Sequence, residues 1–189
     1  MQAPSGTKPG HRAVVVGGGF GGLACARALD KKPVDVLLVD RHNYHLFTPL
    51  LYQVATSLLN PSDIAYPHRS IFRRSRNVRF RQGRVVNVDL ERKTVRTHDG
   101  EEIPFDTLVL ATGSENNYFA NEELAHHTLG MKRLAEAMRL RNHVLSCLEL
   151  ATKADSLEDR RAFVRPIPWN RPMRRRAAPA GSESTSSCA

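Results

Sequence analysis

Three glycines and one carboxylate are the residues of this 189-residue chain best placed to do chemistry. Gly17, Gly19 and Gly22 form a G-x-G-x-x-G pattern directly after the apolar run Arg12–Val16. They open a stretch, Phe20–Leu29, in which Leu23, Ala24, Ala28 and Leu29 fall at helical spacing. In that context each glycine has a distinct expected task. Gly17 permits a tight turn, Gly19 lets the backbone approach a diphosphate, and Gly22 lets helix and sheet pack closely. The helix N-terminus then offers unpaired N–H groups and a partial positive charge to phosphate. Asp40 follows Gly22 by 18 positions, at the end of a second apolar run, where a carboxylate can accept hydrogen bonds from ribose hydroxyls. Together these residues predict a site for an adenine dinucleotide with an unphosphorylated ribose; Arg41 next door is the residue type that elsewhere accommodates a 2′-phosphate.

The elements that must position these residues are legible around them. Residues 12–16 and 34–39 read as buried strands flanking one helix, a βαβ unit with a parallel pair. Thr48 and Pro49 predict a helix start, a hydroxyl N-cap with proline at the first helical position, and Asn60-Pro61 its stop. A short helix is expected around 67–74. Residues 78–97 alternate as an antiparallel meander, with Val78, Phe80, Val86, Val88, Leu90 and Val95 on its apolar positions. The run 106–111 returns to the parallel sheet and breaks at Thr112-Gly113. Residues 131–151 predict the longest helix, with Met131, Leu134, Met138, Leu145 and Leu148 on a core-facing stripe.

Charge narrows the classes of function. The net charge is +9, but residues 160–189 alone contribute +6 through seven Arg against Glu183, so the remainder is only mildly basic. Within that remainder Arg69, Arg73, Arg74, Arg76, Arg79, Arg81 and Arg84 cluster with no acid between them, and a solvated basic face is the expectation. No aromatic platform is interleaved with them, so no specific nucleic-acid partner is expected. Cys25, Cys147 and Cys188 are odd in number and widely spaced, which fits a reducing, cytoplasmic setting rather than a disulfide framework or zinc site. His42, His45 and His68 lack metal-ligand spacing and are expected to be solvated or supporting residues, so no metal is assigned.

The segment Asn43-Tyr44-His45-Leu46-Phe47-Thr48-Pro49-Leu50-Leu51-Tyr52-Gln53-Val54-Ala55-Thr56 closely resembles the one that follows the ribose acid in type II NADH dehydrogenases. Asp106 to Ser114 is similar to the second flavin-contacting strand and turn of the wider two-dinucleotide flavoproteins, and 140–145 resembles their linking helix. The resemblance implies that the fingerprint holds FAD, with Gly17, Gly19, Phe20, Gly21 and Gly22 at the diphosphate and Asp40 and Arg41 at the adenosine ribose. It further places Val85 near the adenine, Ala111, Thr112 and Gly113 at the floor of the site, and Thr48, Pro49 and Gln53 on the helix facing the isoalloxazine. NADH as co-substrate, a membrane quinone as acceptor and peripheral contact with the inner face of the cell membrane are implied in the same way. The paired redox cysteines of the related disulfide reductases are absent after Asp40, so no dithiol relay and no catalytic side chain is expected.

The fold class implied is α/β, a Rossmann-like FAD-binding domain with a parallel sheet and a small antiparallel meander, incomplete relative to the two-dinucleotide-domain fold. Its organisation is read as a flexible leader over 1–10, the FAD-binding segment over 11–130, a linking helix over 131–162 and a disordered Arg/Pro/Ser-rich tail over 163–189. With apolar periodicity lost after Phe163, just where Glu158 to Phe163 lead toward a further strand, a truncated or frameshifted product with little NADH:quinone activity alone is one expectation. Two rival readings are a non-catalytic FAD- or NAD-binding module and a basic protein binding nucleic acid or anionic membrane through its tail.

Overall fold

A computed structural model describes residues 10–123 and 128–164. All of the expected leader but Gly10, and all of the expected tail but residues 163 and 164, lie outside the described residues. Two compact units divide the chain, one of residues 1–117 and 130–144 and the other of 118–129 and 145–189.

The larger unit is built on strand β1 (Arg12–Val16), helix α1 (Phe20–Leu29) and strand β2 (Asp35–Asp40). β1 and β2 are β-branched, apolar runs and pair in parallel, Val14 opposite Leu37 and Val16 opposite Val39. Successive side chains of β1 point to opposite faces. Ala13 and Val15 pack with Leu23 and Ala26 of α1, while Val14 and Val16 pack on the other side. α1 ends at Asp30, and Lys31 turns the chain with φ of +64°. Asn77 fixes that turn by donating to the carbonyls of Leu29 at 2.9 Å and Val34 at 2.9 Å and accepting from the Lys31 amide at 2.8 Å.

Strand β3 (Tyr44–Leu46) follows, then a 3-10 turn at Thr48–Leu50, helix α2 (Leu51–Ala55), helix α3 (Pro61–Ile64), strand β4 (Ala65–Pro67) and helix α4 (His68–Ile71). The Thr48 hydroxyl caps nothing; Thr48 and Pro49 lie inside the 3-10 turn that leads into α2. The short helix expected over 67–74 is confined to α4, because 65–67 is drawn into an antiparallel pair with β3. Leu51, Val54 and Ala55 pack with Ile64 and Ala137 in a third apolar cluster.

Strand β5 (Val78–Gln82) corrects the reading of 78–97 as one meander. It pairs in parallel with β2, Val36 opposite Val78 and Leu38 opposite Phe80. β5 is the edge of the parallel sheet, whose order ends with strand β9 (Thr107–Leu110) beside β1 at the other edge. The meander proper comprises β6 (Val85–Asp89), β7 (Thr94–Thr97) and β8 (Glu102–Pro104). Its Val95 and Ile103 cover Val14, Val16 and Val39 on the face opposite α1. A register shift between Val85 and Asn87 breaks the expected alternation, so Val85 and Val88 turn inward while Val86 and Leu90 are exposed.

Helix α5 (Leu134–Thr152) begins three residues later than expected, leaving Met131 exposed and outside it. Within the larger unit Ala137 is its fully buried residue, with Leu134, Met138 and Leu140 beside it. In the smaller unit Leu145 and Leu148, expected in the core, are 42% and 47% exposed, and among the described residues there the buried side chain is Cys147. Helix α6 (Leu157–Val164) replaces the expected lead-in to a strand, its first turn held by Ser156, whose hydroxyl accepts from the Asp159 amide at 3.0 Å.

Candidate functional site

The C-terminal ends of β1, β2 and β9 converge on the turn Gly17–Gly19. The Gly17 amide donates to the Val39 carbonyl and the Ala111 amide to the Val16 carbonyl, both at 2.8 Å, so the turn is sewn into the sheet from both sides. Four glycines there have four different surroundings. Gly17 adopts φ of +105°, and a β-carbon on it would come within 2.2 Å of the Ala111 carbonyl oxygen. On Gly22 a β-carbon would lie 1.7 Å from the Gly17 oxygen, so α1 can meet the turn only through a bare backbone. On Gly19 it would meet nothing within 4 Å. That open position precedes the uncapped first turn of α1, which holds no acidic side chain and whose N–H groups lack intrahelical acceptors.

The fourth glycine, Gly18, occupies an x position of the motif and carried no weight in the sequence. It is buried, and a β-carbon on it would sit 2.3 Å from Nε2 of His68 and 3.3 Å from an Asp40 carboxylate oxygen. His68 is fully buried, stacked on Phe80 at 4.8 Å between ring centroids, and neither ring nitrogen makes a hydrogen bond. Of the two expectations for this histidine, solvated or supporting, its burial beneath Gly18 leaves the supporting one. Burial pushes its pKa below the ordinary 6.5, with the Asp40 charge acting in the opposite sense, His45 lowering it further and the nearby Tyr44 carbonyl raising it.

Asp40 fixes the turn from the end of β2. One oxygen accepts the Gly18 amide at 2.5 Å and the other accepts the His42 amide at 2.7 Å. Each carboxylate oxygen keeps a further lone pair for a hydroxyl donor. His45 lies 3.0 Å from the Gly18 carbonyl, and since a carbonyl only accepts, Nδ1 carries the proton. His45 also meets Phe20 edge to face at 5.1 Å, and Phe20 meets Phe47 at 5.4 Å. His42 is shifted below 6.5 by burial, against Asp40 and with Arg41 and Arg133. Tyr44 is shifted upward by burial and by Asp40.

The remaining expected residues divide into two groups. Ala111, Thr112 and Gly113, the last at φ +74°, continue β9 past Gly17, and Val85 opens β6 just after Gly83 donates to the Asp40 carbonyl at 2.8 Å. Gly21 is exposed on the first turn of α1. These share the neighbourhood of the turn. Thr48, Pro49 and Gln53 do not bond to it among the described residues; the link runs through Phe47 and Phe20, and Gln53 donates to the Tyr52 hydroxyl at 3.0 Å. Arg41 points to Glu115, 3.8 Å away, and Glu115 also pairs with Arg133. That acid and the Lys132 amine, which donates to Ser114 at 3.1 Å, fix residues 114–115 and were not anticipated. Among the described residues no group of three or more His, Cys, Asp or Glu could hold a metal, and no helix is long and apolar enough to cross a membrane.

A site with an open glycine, an uncapped helix terminus and an anchored carboxylate fits the diphosphate and ribose of a dinucleotide. Comparison with known proteins agrees with this fold. The family model for pyridine nucleotide-disulphide oxidoreductases matches residues 11–159. The type II NADH:quinone oxidoreductase NdhA of Mycobacterium tuberculosis is 43% identical over 151 residues, covering 78% of this chain and 32% of that protein. The Ndh enzyme of the same organism is 39% identical over 164 residues, covering 85% and 35%. Among solved structures, the sulfide:quinone oxidoreductase of Aquifex aeolicus superposes with a TM-score of 0.65 at 27% identity, covering 74% of this chain and 32% of that one. NDH2 of Plasmodium falciparum gives 0.72 at 23% identity, covering 80% and 32%, a likeness of fold. The chain thus spans about a third of the length of the relatives it matches. It belongs to the pyridine nucleotide-disulphide oxidoreductase family.

Proposed function

We propose that this chain holds FAD by its adenosine diphosphate half, as the flavin-binding part of an NADH:quinone oxidoreductase. The observation that carries the reading is the open space over Gly19 at the uncapped start of α1, with the Asp40 carboxylate anchored beside it. In this reading the amides of Gly19, Phe20 and Gly21 bind the diphosphate, and Gly17 and Gly22 let turn and helix approach it. Asp40 accepts from the ribose hydroxyls with Arg41 at its edge, Val85 borders the adenine through its backbone, and Ala111, Thr112 and Gly113 form the floor. Thr48, Pro49 and Gln53 lie toward the isoalloxazine. Bound FAD would supply the redox chemistry, accepting electrons from NADH and passing them to the quinone. The chain's own residues bind and orient, and no side chain is assigned as an acid or base. In this reading the protein meets a lipid-soluble quinone acceptor at a membrane surface, from the cytoplasmic side.

Purification from cells with and without added riboflavin tests the reading. Stoichiometric flavin absorption in the folded chain supports it, and NADH-dependent bleaching of that colour, followed by quinone reduction, tests the electron route. A folded chain that takes up no flavin contradicts it.

A further inference from the structure

A buried ionisable side chain, His68, has no task in the binding described above. Its ring is fully buried and neither nitrogen has a hydrogen-bond partner, a costly state for a polar group. The backbone holds it there. The His68 amide donates to the Asn43 carbonyl at 2.9 Å, its carbonyl accepts the Phe72 amide at 3.2 Å, and Pro67 before it is paired with Tyr44. The ring stacks on Phe80 of β5 at 4.8 Å. Nε2 of His68 and Oδ2 of Asp40 lie 2.3 and 3.3 Å from one point, the place a β-carbon on Gly18 would take. That same Oδ2 accepts the Gly18 amide. Imidazole and carboxylate are thus neighbours beside a bare backbone. From β3 the ring also meets the Tyr44 carbonyl and His45, 6.4 Å away between centroids, and from α4 Arg69 lies 5.4 Å from the centre of the Phe80 ring. His45 and Arg69 offer a cation nothing, so among these groups Asp40 is the anion that an imidazolium at position 68 would turn to. The other two histidines make no such demand. His42 holds Asp40 through its backbone amide, and its ring is exposed, so a charge there can be hydrated. His45 donates from Nδ1 to the Gly18 carbonyl and keeps that proton whether or not Nε2 gains one.

We propose that His68 is a positioning residue of the glycine turn: neutral, it leaves Asp40 to Gly18 and to a ligand's ribose, and protonated, it takes that carboxylate for itself. In the neutral state the ring fills the space beneath Gly18, and Asp40 keeps lone pairs for ribose hydroxyls. A proton adds a second donor and a charge in a buried place, and the nearest relief is the Asp40 carboxylate. The Gly83 amide pins the Asp40 backbone, donating to its carbonyl at 2.8 Å, so the carboxylate answers by turning its side chain toward the ring. Gly18 then loses its acceptor and the ribose its partner. Binding of a dinucleotide therefore expels the proton from His68 to solvent, and acid releases the dinucleotide. The inference rests on the reading of the turn as a dinucleotide site, but the exchange between His68 and Asp40 needs no ligand, so the two can fail separately.

The test is a pair of titrations of the full chain between about pH 8 and about pH 5, the range in which histidines change charge. In the flavin-free chain, NMR follows the Gly18 amide and the His68 ring. The Gly18 amide resonance should shift with the same midpoint as the His68 Cε1 proton, and His68→Leu should abolish that shift. In fluorescence titrations with FAD, Kd should be level above about pH 6.5 and rise below it, approaching about tenfold per pH unit, the slope for one expelled proton. His68→Leu, with His68→Asn as a second variant should the first fail to fold, should reduce that dependence to within about twofold across the range, whereas His45→Gln should retain it. Three results overturn the proposal: a Gly18 amide that ignores the His68 proton, an acid loss of affinity that persists in folded His68 variants, or an affinity that increases with acidity. A Gly18 amide that follows His68 in a chain taking up no FAD supports the exchange with Asp40 and contradicts the cofactor reading instead.

Discussion

The substitution Gly18→Ala puts the least anticipated contact of the site to a direct test. The added methyl would meet Nε2 of His68 at 2.3 Å and Cε1 at 2.4 Å, about 1 Å inside ordinary van der Waals contact. The ring cannot swing to solvent, since His68 is fully buried and stacked on Phe80. Nor can the turn rise freely, because Asp40 and Val39 hold the Gly18 and Gly17 amides. Overpacking of this kind costs about 1–3 kcal/mol, and for a chain of this size 2 kcal/mol corresponds to a fall in Tm of roughly 4–8 °C. Combining it with His68→Ala removes the clash. The double variant should then be more stable than the sum of the two single effects by about 1–2 kcal/mol, the coupling expected of residues in contact. Urea denaturation of the four proteins, followed by far-UV circular dichroism, gives the cycle. Additive effects, or a Gly18→Ala protein within about 0.5 kcal/mol of the parent, refute the packing of His68 under the turn.

Gly19→Ala and Gly22→Ala should separate binding from folding: the former has open space and should keep the parent's denaturation midpoint while FAD affinity falls at least about tenfold, whereas the latter, 1.7 Å from the Gly17 oxygen, should unfold the chain or cost more than about 3 kcal/mol. Asp40→Asn loses the charge behind two amide hydrogen bonds and should destabilise by about 1.5–3 kcal/mol in the same denaturation assay, with weaker FAD binding measured by fluorescence titration. His68 and His42 both have folded pKa values depressed below 6.5 by burial. Between 6.5 and those lower values the unfolded chain binds more protons, so stability should be level above about pH 6.5 and decline as pH falls below it. His68→Asn should make that acid limb shallower in denaturation curves taken across pH; an unchanged slope would remove His68 from the account.

The parallel core was legible because its strands are buried on both faces and therefore read as unbroken apolar runs between glycine and proline. β5 departs from its expected place in the meander for a related reason. As the sheet edge it buries Val78 and Phe80 and exposes Arg79 and Arg81, and such alternation is indistinguishable from that of a half-solvated antiparallel strand. The β3–β4 pair has only three residues a side, too few for a periodic signal. Tasks for Gly17, Gly19 and Gly22 could be named in advance because each follows from backbone geometry at a fixed offset. His68 could not, since nothing in the order Pro67-His68-Arg69 says that the ring folds back 50 positions to lie beneath Gly18. Leu145 and Leu148 were expected in the core from helical spacing alone, which reports a shared face but not what covers it.

The most direct measurement is an isothermal titration of the folded, flavin-free chain with FAD, run beside the Gly19→Ala variant and with NADH as a competitor. Saturation at one FAD per chain, loss of that binding in the variant, and weak or no displacement by NADH are the expected results. A chain that is folded by circular dichroism but releases no heat with FAD, or that binds it equally well with alanine at position 19, would contradict the assignment of the turn.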